Sequence, residues 1–220
     1  MGDQETAQDE QLASIGSKRL EGILVVPADA SGLVIFAHGS GSSRLSPRNS
    51  FVANALNDRG LATLLFDLLT EQEAADRANV FDIPLLGARV ADAVQWARDS
   101  ERTRSLKIGL FGASTGAAAA LVAAEQMPEA VSAVVSRGGR PDLAHDALAQ
   151  VRAPTLLIVG GADHVVIELN EQAFEKLGCK KKLEIVPGAT HLFEEPGTLE
   201  QVIDLAGGWF NSHLGEHGHG

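Results

Sequence analysis

Cysteine, tyrosine and long apolar runs are what this sequence has least of. Its one cysteine, Cys179, excludes an internal disulfide, and the lack of tyrosine removes any phenolic hydroxyl from catalysis. No apolar run approaches the roughly 20 residues that a membrane-spanning helix needs. A chain without disulfides or an apolar span is typical of the reducing cytoplasm, so we expect a cytoplasmic protein that does not bind membranes.

Positive charge is also scarce. The 220 residues hold 18 lysines and arginines against 29 aspartates and glutamates, a net charge of −11. Because this charge repels a phosphate backbone, we expect no nucleic-acid partner. Residues 1–11 are acidic and resemble neither a secretory signal nor a basic transit peptide, so we expect a disordered tail there. Residues 215–220, GEHGHG, predict a second flexible tail.

The residues between these tails, 12–214, predict one α/β domain. Apolar residues make up 45% of the chain, as in soluble globular proteins. Two short extended segments come first and predict an antiparallel pair at a sheet edge. From residue 32 onward, continuous apolar runs alternate with helical stretches, which is typical of a mostly parallel sheet with helices on both faces. No insertion is long enough to form a lid domain.

The stretch Lys107–Gln126 is the most informative one in the chain. It reads KIGLFGASTGAAAALVAAEQ: an apolar strand, the motif Gly-Ala-Ser-Thr-Gly and an alanine-rich helix. This order predicts a nucleophile elbow, in which a serine stands on a tight strand-to-helix turn. Gly112 and Gly116 lack a β-carbon and allow strand and helix to approach closely. Ser114 is the candidate nucleophile, and a glycine-rich turn without chemistry is the alternative.

Two later strand exits supply partners for Ser114. Asp163 follows the strand PTLLIVG and His191 follows the last strand, so the chain order is the Ser, Asp, His order of nucleophile-elbow enzymes. Because the carboxyl ends of parallel strands share one edge of a sheet, we expect the three side chains to meet there. His191 would accept the serine proton, and Asp163 would orient the imidazole.

Simpler roles stay open for these residues. Asp163 could instead cap the helix that follows it, and His191 could be a surface loop residue. His38, His145 and His164 are rival bases. We expect His38 to brace its own loop and the other two to point away from the serine.

The loop HGSGSSR, residues 38–44, predicts part of an oxyanion hole. A tetrahedral intermediate needs two hydrogen-bond donors. Thr115, directly after the nucleophile, would supply one backbone N–H, and Ser40 would supply the other. Gly41 is the second choice and a candidate substrate contact. A flexible glycine–serine turn is the alternative interpretation of this loop.

These motifs resemble those of α/β-hydrolases, in particular the small, lidless dienelactone-hydrolase-like group. The resemblance covers residues 17–214 and rests on HGSGSS, GASTG, GGAD and GATH. It implies an α/β-hydrolase fold and a Ser-Asp-His triad. Dienelactone hydrolases proper carry a cysteine at the elbow, whereas this chain has Ser114, which favours ester hydrolysis. Some sequences of this kind are joined to a phosphoribosyltransferase-like domain, which we do not expect within these residues.

Four arginines follow strand ends on the expected site edge: Arg44, Arg48, Arg137 and Arg140. A guanidinium group binds carboxylate or phosphate through two parallel hydrogen bonds, so one or two of them could hold an anionic group of the substrate. Arg44, Arg137 and Arg140 are the candidates for this contact. The alternative is ion pairing inside the protein, with Asp67, Asp82 or Asp142.

The sequence therefore predicts a serine hydrolase of small soluble carboxylic esters, lactones or thioesters. It would act through an acyl-enzyme and need no metal ion or cofactor. The missing lid argues against a lipase for long acyl chains. An acyltransferase with the same triad and a non-catalytic binding protein of this fold are the alternatives. We expect a small-molecule substrate, anionic if the arginines bind it, and a monomer or homodimer.

Overall fold

A computed structural model describes residues 10–215 of the chain. The eight strands within these residues are β1 (Glu10–Ile15), β2 (Leu20–Val25), β3 (Leu33–Ala37), β4 (Ala62–Phe66), β5 (Ile108–Ala113), β6 (Val131–Arg137), β7 (Thr155–Gly160) and β8 (Lys181–Val186). The helices are α1 (Pro47–Asn57), α2 (Glu71–Ala74), α3 (Arg77–Val80), α4 (Ile83–Asp99), α5 (Thr115–Gln126), α6 (His164–Lys176) and α7 (Thr198–Leu214). A 3₁₀ segment spans Pro141–Gln150.

All eight strands join one sheet in the order β1-β2-β4-β3-β5-β6-β7-β8. β2 pairs antiparallel with both β1 and β4, and every other neighbouring pair is parallel. This is the mostly parallel sheet of the predicted α/β-hydrolase fold. The carboxyl ends of β3 to β8 consequently lie at one edge, where ligands bind in such sheets.

The sheet separates two apolar cores. Helices α1 and α7 cover one face, around Phe36, Phe111 and Phe210. Helices α4 and α5 and the 3₁₀ segment cover the other face, where the alanines of α5 pack directly on the strands. β3 and β5 are buried along their whole length, which explains their continuous apolar sequences.

The first strand begins earlier than predicted. Glu10 pairs with Val25 and Gln11 with Leu24, so the ladder of β1 includes two residues that were assigned to the acidic tail. Their polar side chains are exposed at a sheet edge, and composition alone therefore does not distinguish them from a tail. The remaining tail predictions, at residues 1–9 and 216–220, lie outside the described residues.

In the part of the chain that the structure describes, no helix is both long and apolar enough to span a bilayer.

Candidate active site

Ser114 stands at the turn between β5 and α5 in a strained backbone conformation. Its φ of 52° and ψ of −123° lie in a region that residues with a β-carbon rarely adopt. A β-carbon on Gly112 would lie 2.4 Å from Cα of Ala117, and one on Gly116 would lie 2.1 Å from the carbonyl oxygen of Ala37. The two glycines of the motif are therefore required by packing, and the turn presents Ser114 half-buried at the sheet edge.

Asp163 directs its carboxylate at His191. It occupies the N-cap position of α6, yet its side chain makes no capping hydrogen bond. Its Oδ2 instead lies 2.8 Å from Nδ1 of His191. A capping aspartate would accept from the N–H groups of its own helix, so this geometry favours the orienting role over the capping role.

Backbone hydrogen bonds hold the Asp163 and His191 turns together. Gly161 donates its N–H to the Val186 carbonyl at 2.8 Å, and Ala162 donates to the Ala189 carbonyl at 2.9 Å. A β-carbon on Gly160 would lie 2.4 Å from the Ala189 carbonyl oxygen, so only glycine permits this approach. Backbone hydrogen bonds alone therefore hold the turns after β7 and β8 next to each other.

Hydrogen bonds within the loop that carries His191 stabilise its conformation. Glu195 accepts hydrogen bonds from the N–H and the hydroxyl of Thr190, at 3.1 and 2.6 Å. These bonds hold the pKa of the Glu195 carboxyl below its usual value. Phe193 is buried with a positive φ of 54°, and it anchors the loop against Gly138. Sequence reasoning missed both residues, because neither belongs to a recognisable motif.

One short segment, residues 137–140, contacts both Ser114 and His191. Ser114 donates its N–H to the Arg137 carbonyl at 3.4 Å and accepts from the Arg140 N–H at 3.0 Å. A β-carbon on Gly138 would lie 3.0 Å from the His191 carbonyl oxygen. Within residues 10–215, Ser114 and His191 share no hydrogen bond, and the His191 side chain is 40% exposed. Catalytic hydrogen bonds are often long before substrate binds.

The loop of residues 38–44, called the oxyanion loop below, forms a hydrogen bond with the elbow. The Ser40 N–H donates to Oγ1 of Thr115 at 3.0 Å. Gly39 lets the loop approach, since a β-carbon there would lie 3.0 Å from Cβ of Ser114, and Gly41 has a φ of 70°. Ser40 and Thr115 are thus adjacent, but the Ser40 N–H that was expected to face the substrate is engaged by a side chain.

His38 braces the oxyanion loop and cannot act as the base in this arrangement. Its Nε2 accepts from the Leu68 N–H at 3.1 Å, so the ring proton is on Nδ1, which lies 2.9 Å from the Gly39 carbonyl oxygen. Burial lowers the pKa of His38 below 6.5 and keeps the ring neutral. His145 and His164 are exposed.

Two of the arginines proposed to bind substrate are paired with acids of the protein. Arg44 forms ion pairs with Asp67 and Glu21. Arg140 donates two hydrogen bonds to Asp142, at 2.9 and 2.8 Å. For both of them the structure supports the alternative of internal pairing, because each acid already supplies the carboxylate that a substrate would bring.

Arg137 differs from these two. It is buried, and one terminal nitrogen donates to Oδ1 of Asn49, near the start of α1, at 3.1 Å. Its Nε has no hydrogen-bond partner, and none of the carboxylates in residues 10–215 forms an ion pair with it. Burial, together with the nearby Arg48 cation, lowers the pKa of Arg137 to about 10. Arg48 itself pairs with the exposed Glu194 at 3.0 Å.

A cleft of about 1010 Å³ opens beside the elbow. Its inner wall is Thr115 and the oxyanion loop, and its outer walls come from β2, the exit of β4 and α2. Thr115 is the part of the elbow that lines the cleft, whereas Ser114, His191 and Arg137 do not line it. Among the described residues, no group of histidine, cysteine and acidic side chains is placed to hold a metal ion.

A mostly parallel sheet with a serine elbow and an Asp–His pair at adjacent strand exits defines an α/β-hydrolase. The family model of the dienelactone hydrolase family matches residues 20–202, and the chain belongs to that family. A dienelactone hydrolase from Anabaena variabilis, solved by crystallography, is 55% identical with a TM-score of 0.90, over 94% of this chain and 98% of that one.

Other relatives are longer or more distant. A Mycobacterium tuberculosis protein with the name "Putative phosphoribosyl transferase" is 58% identical over 208 residues, which cover 94% of this chain and 47% of that protein. The chain thus spans about half the length of the curated relatives it matches. Est1E from Butyrivibrio proteoclasticus, solved with ferulic acid bound, is 17% identical with a TM-score of 0.75, over 89% of this chain and 95% of that one. The likeness to Est1E is one of fold alone.

Proposed function

We propose that the protein is a serine hydrolase that cleaves small carboxylic esters, lactones or thioesters through an acyl-enzyme. The observation that carries the proposal is the carboxylate of Asp163. This side chain leaves the capping position of its own helix unfilled and instead holds Nδ1 of His191 at 2.8 Å. A helix loses about 1 kcal/mol when its cap is missing, so the arrangement favours a role for the imidazole over local stability.

Acylation would begin with attack by Oγ of Ser114 on the substrate carbonyl carbon. A bond forms between Oγ and that carbon while the hydroxyl proton passes to Nε2 of His191. Asp163 accepts from Nδ1–H and stabilises the imidazolium. The bond to the leaving group then breaks, and Nε2 returns the proton to the departing alcohol or thiol.

Deacylation would repeat these steps with water. His191 takes a proton from the water as its oxygen attacks the acyl carbon. The bond between that carbon and Oγ breaks, Ser114 recovers its proton, and the carboxylic acid leaves. The imidazole is half-exposed and no lid covers it within residues 10–215, which gives water access to this step.

Substrate size follows from the cleft. At about 1010 Å³ it matches the upper range of clefts that hold small molecules. Arg44, Asp67 and Glu73 give its wall charges of both signs. These features support a compact, soluble acyl compound.

Substrate charge is proposed from Arg137. A buried guanidinium without a carboxylate partner is costly, and an anionic substrate group near α1 would supply the missing partner. The N-terminus of α1 adds partial positive charge to this region. We retain an anionic substrate as part of the proposal, now with Arg137 as its contact in place of Arg44 and Arg140.

We infer that the name of the longer relatives describes the half of those proteins that this chain does not cover. The matched half carries the elbow and the Asp–His pair, which serve acyl chemistry. We infer that phosphoribosyl transfer is not an activity of the residues described here.

The first test is hydrolysis across a panel of p-nitrophenyl esters of different acyl lengths and charges. We expect measurable turnover of short esters, with Ser114→Ala lowering kcat by about 10⁴-fold or more. Thioesters and lactones extend the panel. Turnover unchanged by Ser114→Ala would contradict the proposal. Transfer of the acyl group to an added alcohol in preference to water would favour an acyltransferase.

A further inference from the structure

The oxyanion loop presents a contradiction within the proposed mechanism. Two donors must face the developing negative oxygen, and the second one was expected to be the Ser40 N–H. That N–H donates instead to Oγ1 of Thr115, 3.0 Å away. Because the Ser40 N–H donates to this hydroxyl, it is not free to bind the substrate oxygen. It would become free only if the Thr115 side chain rotated away during each turnover.

The Thr115 hydroxyl has an unused proton. A hydroxyl carries one donor hydrogen and two acceptor lone pairs, and Oγ1 is an acceptor in the bond from Ser40. Within residues 10–215, no protein acceptor receives the Oγ1–H hydrogen. The residue is 5% exposed, and the surface it does present forms the inner wall of the cleft. The unused donor therefore lies where the substrate carbonyl would enter.

The backbone of Thr115 supplies a second donor beside it. Thr115 is the first residue of α5, and the N–H groups of a first helical turn have no partner within the helix. The nitrogen is attached to Cα and the hydroxyl to the neighbouring Cβ, so both hydrogens of one threonine can converge on one acceptor atom. The start of α5 adds its partial positive charge at the same point.

We propose that Thr115 provides both oxyanion donors, its backbone N–H and its side-chain hydroxyl. Ser40 is then a positioning residue that fixes the hydroxyl and polarises it. A hydroxyl that accepts a hydrogen bond donates a stronger one, since bonds in a chain reinforce one another. No covalent step is added to the proposed mechanism. The inference rests on the proposed function, because it concerns the oxyanion of that reaction.

Thr115→Val tests this assignment. Valine has nearly the shape of threonine, lacks the hydroxyl and leaves both backbone N–H groups in place. We expect kcat for a short p-nitrophenyl ester to fall by about 10²-fold, the usual effect of losing one oxyanion donor, with KM within about threefold of the wild type. Thr115→Ser restores the hydroxyl, and we expect kcat to return to within about threefold of the wild type.

A transition-state analogue separates this role from a structural one. A trifluoromethyl ketone forms a tetrahedral adduct with a serine, so its affinity should fall with Thr115→Val by the same factor as kcat/KM. Thermal melting verifies folding, and Thr115→Ala is the second variant should valine fail to fold.

Two results would overturn the inference. One is Thr115→Val with kcat at or above the wild-type value, which would mean that the freed Ser40 N–H is the true donor. The other is Thr115→Ser as slow as Thr115→Val, which would assign the loss to the methyl group. A wild-type protein inert to every ester and to serine probes would instead remove the proposed function itself, and this inference with it.

Discussion

At the scale of single residues, Arg137 is the one whose charge has least explanation inside the fold. It is buried against Asn49, its Nε lacks a partner, and Arg48 lies close enough to lower its pKa. Among the residues that the structure describes, Arg44 and Arg140 each contact a carboxylate, and Arg137 contacts none. We propose that an anionic group of the substrate supplies this missing negative charge.

Removal of the Arg137 charge should change selectivity between substrates. We expect Arg137→Gln to lower kcat/KM for a monosuccinyl p-nitrophenyl ester by about 10-fold or more, the usual effect of losing a charged hydrogen bond, while the neutral acetyl ester changes by less than about threefold. The measurement is steady-state kinetics on both esters. Arg137→Lys, which keeps a positive charge, should fall between.

A surface arginine serves as the control for this experiment. Arg152 precedes β7, at the opposite end of the sheet, and pairs with the exposed Glu129 at 3.2 Å. Arg152→Gln should affect neither ester. An equal loss on both esters in Arg137→Gln would mean that this residue only supports the fold.

Sequence reasoning at this scale succeeded with residue types and failed with contacts. Ser114, Asp163 and His191 were chosen because their types and strand exits fit one chemistry. The bond between Ser40 and Thr115 joins positions 75 apart in the chain, and no local pattern encodes it. The pairing of Arg44 with Asp67 was only one of several possibilities, since a sequence gives charges without distances.

At the scale of elements, the loop between β3 and α1 depends on a neutral histidine. His38 at the end of β3 accepts from the Leu68 N–H just past β4, which ties two strand exits together. If Nε2 were protonated, it could no longer accept this hydrogen bond, and two donors would face each other. Burial accordingly lowers the pKa of His38 below its value of 6.5 in an unfolded chain.

Stability should therefore depend on pH through His38. The stabilisation from the neutral ring is complete above pH 6.5 and is lost as the pH falls through the lower pKa of the folded state. We expect the wild type to lose up to about 1.4 kcal/mol per pH unit relative to His38→Gln, which cannot titrate. Urea unfolding at pH 8.0, 6.5 and 5.5 measures this difference. Parallel declines of both proteins would contradict it.

The elements themselves were largely predictable. Continuous apolar runs that alternate with helical stretches predicted the mostly parallel sheet and the helices that cover it. The start of β1 was wrong because edge strands satisfy only one ladder, and polar residues such as Glu10 and Gln11 serve there as well as apolar ones.

At the scale of the whole molecule, the parallel sheet brings residues that are far apart in the sequence to one candidate site. Ser114, Asp163 and His191 are spread over 78 positions, from 114 to 191, and lie at the exits of β5, β7 and β8. Strands of one direction bring those exits to one edge, and the backbone bonds between residues 161–162 and 186–189 complete the approach. Substrate identity is not encoded at this level, because one fold can carry many functions and the substrate contacts come from the particular residues of its cleft.

The most direct test of the account is covalent labelling with a fluorophosphonate probe, followed by mass spectrometry of the labelled peptide. We expect one adduct on the wild-type protein, located on Ser114, slower labelling of His191→Gln and no labelling of Ser114→Ala. An adduct on another residue, or no adduct on a folded wild-type protein, would contradict the claim that Ser114 is a nucleophile activated by His191.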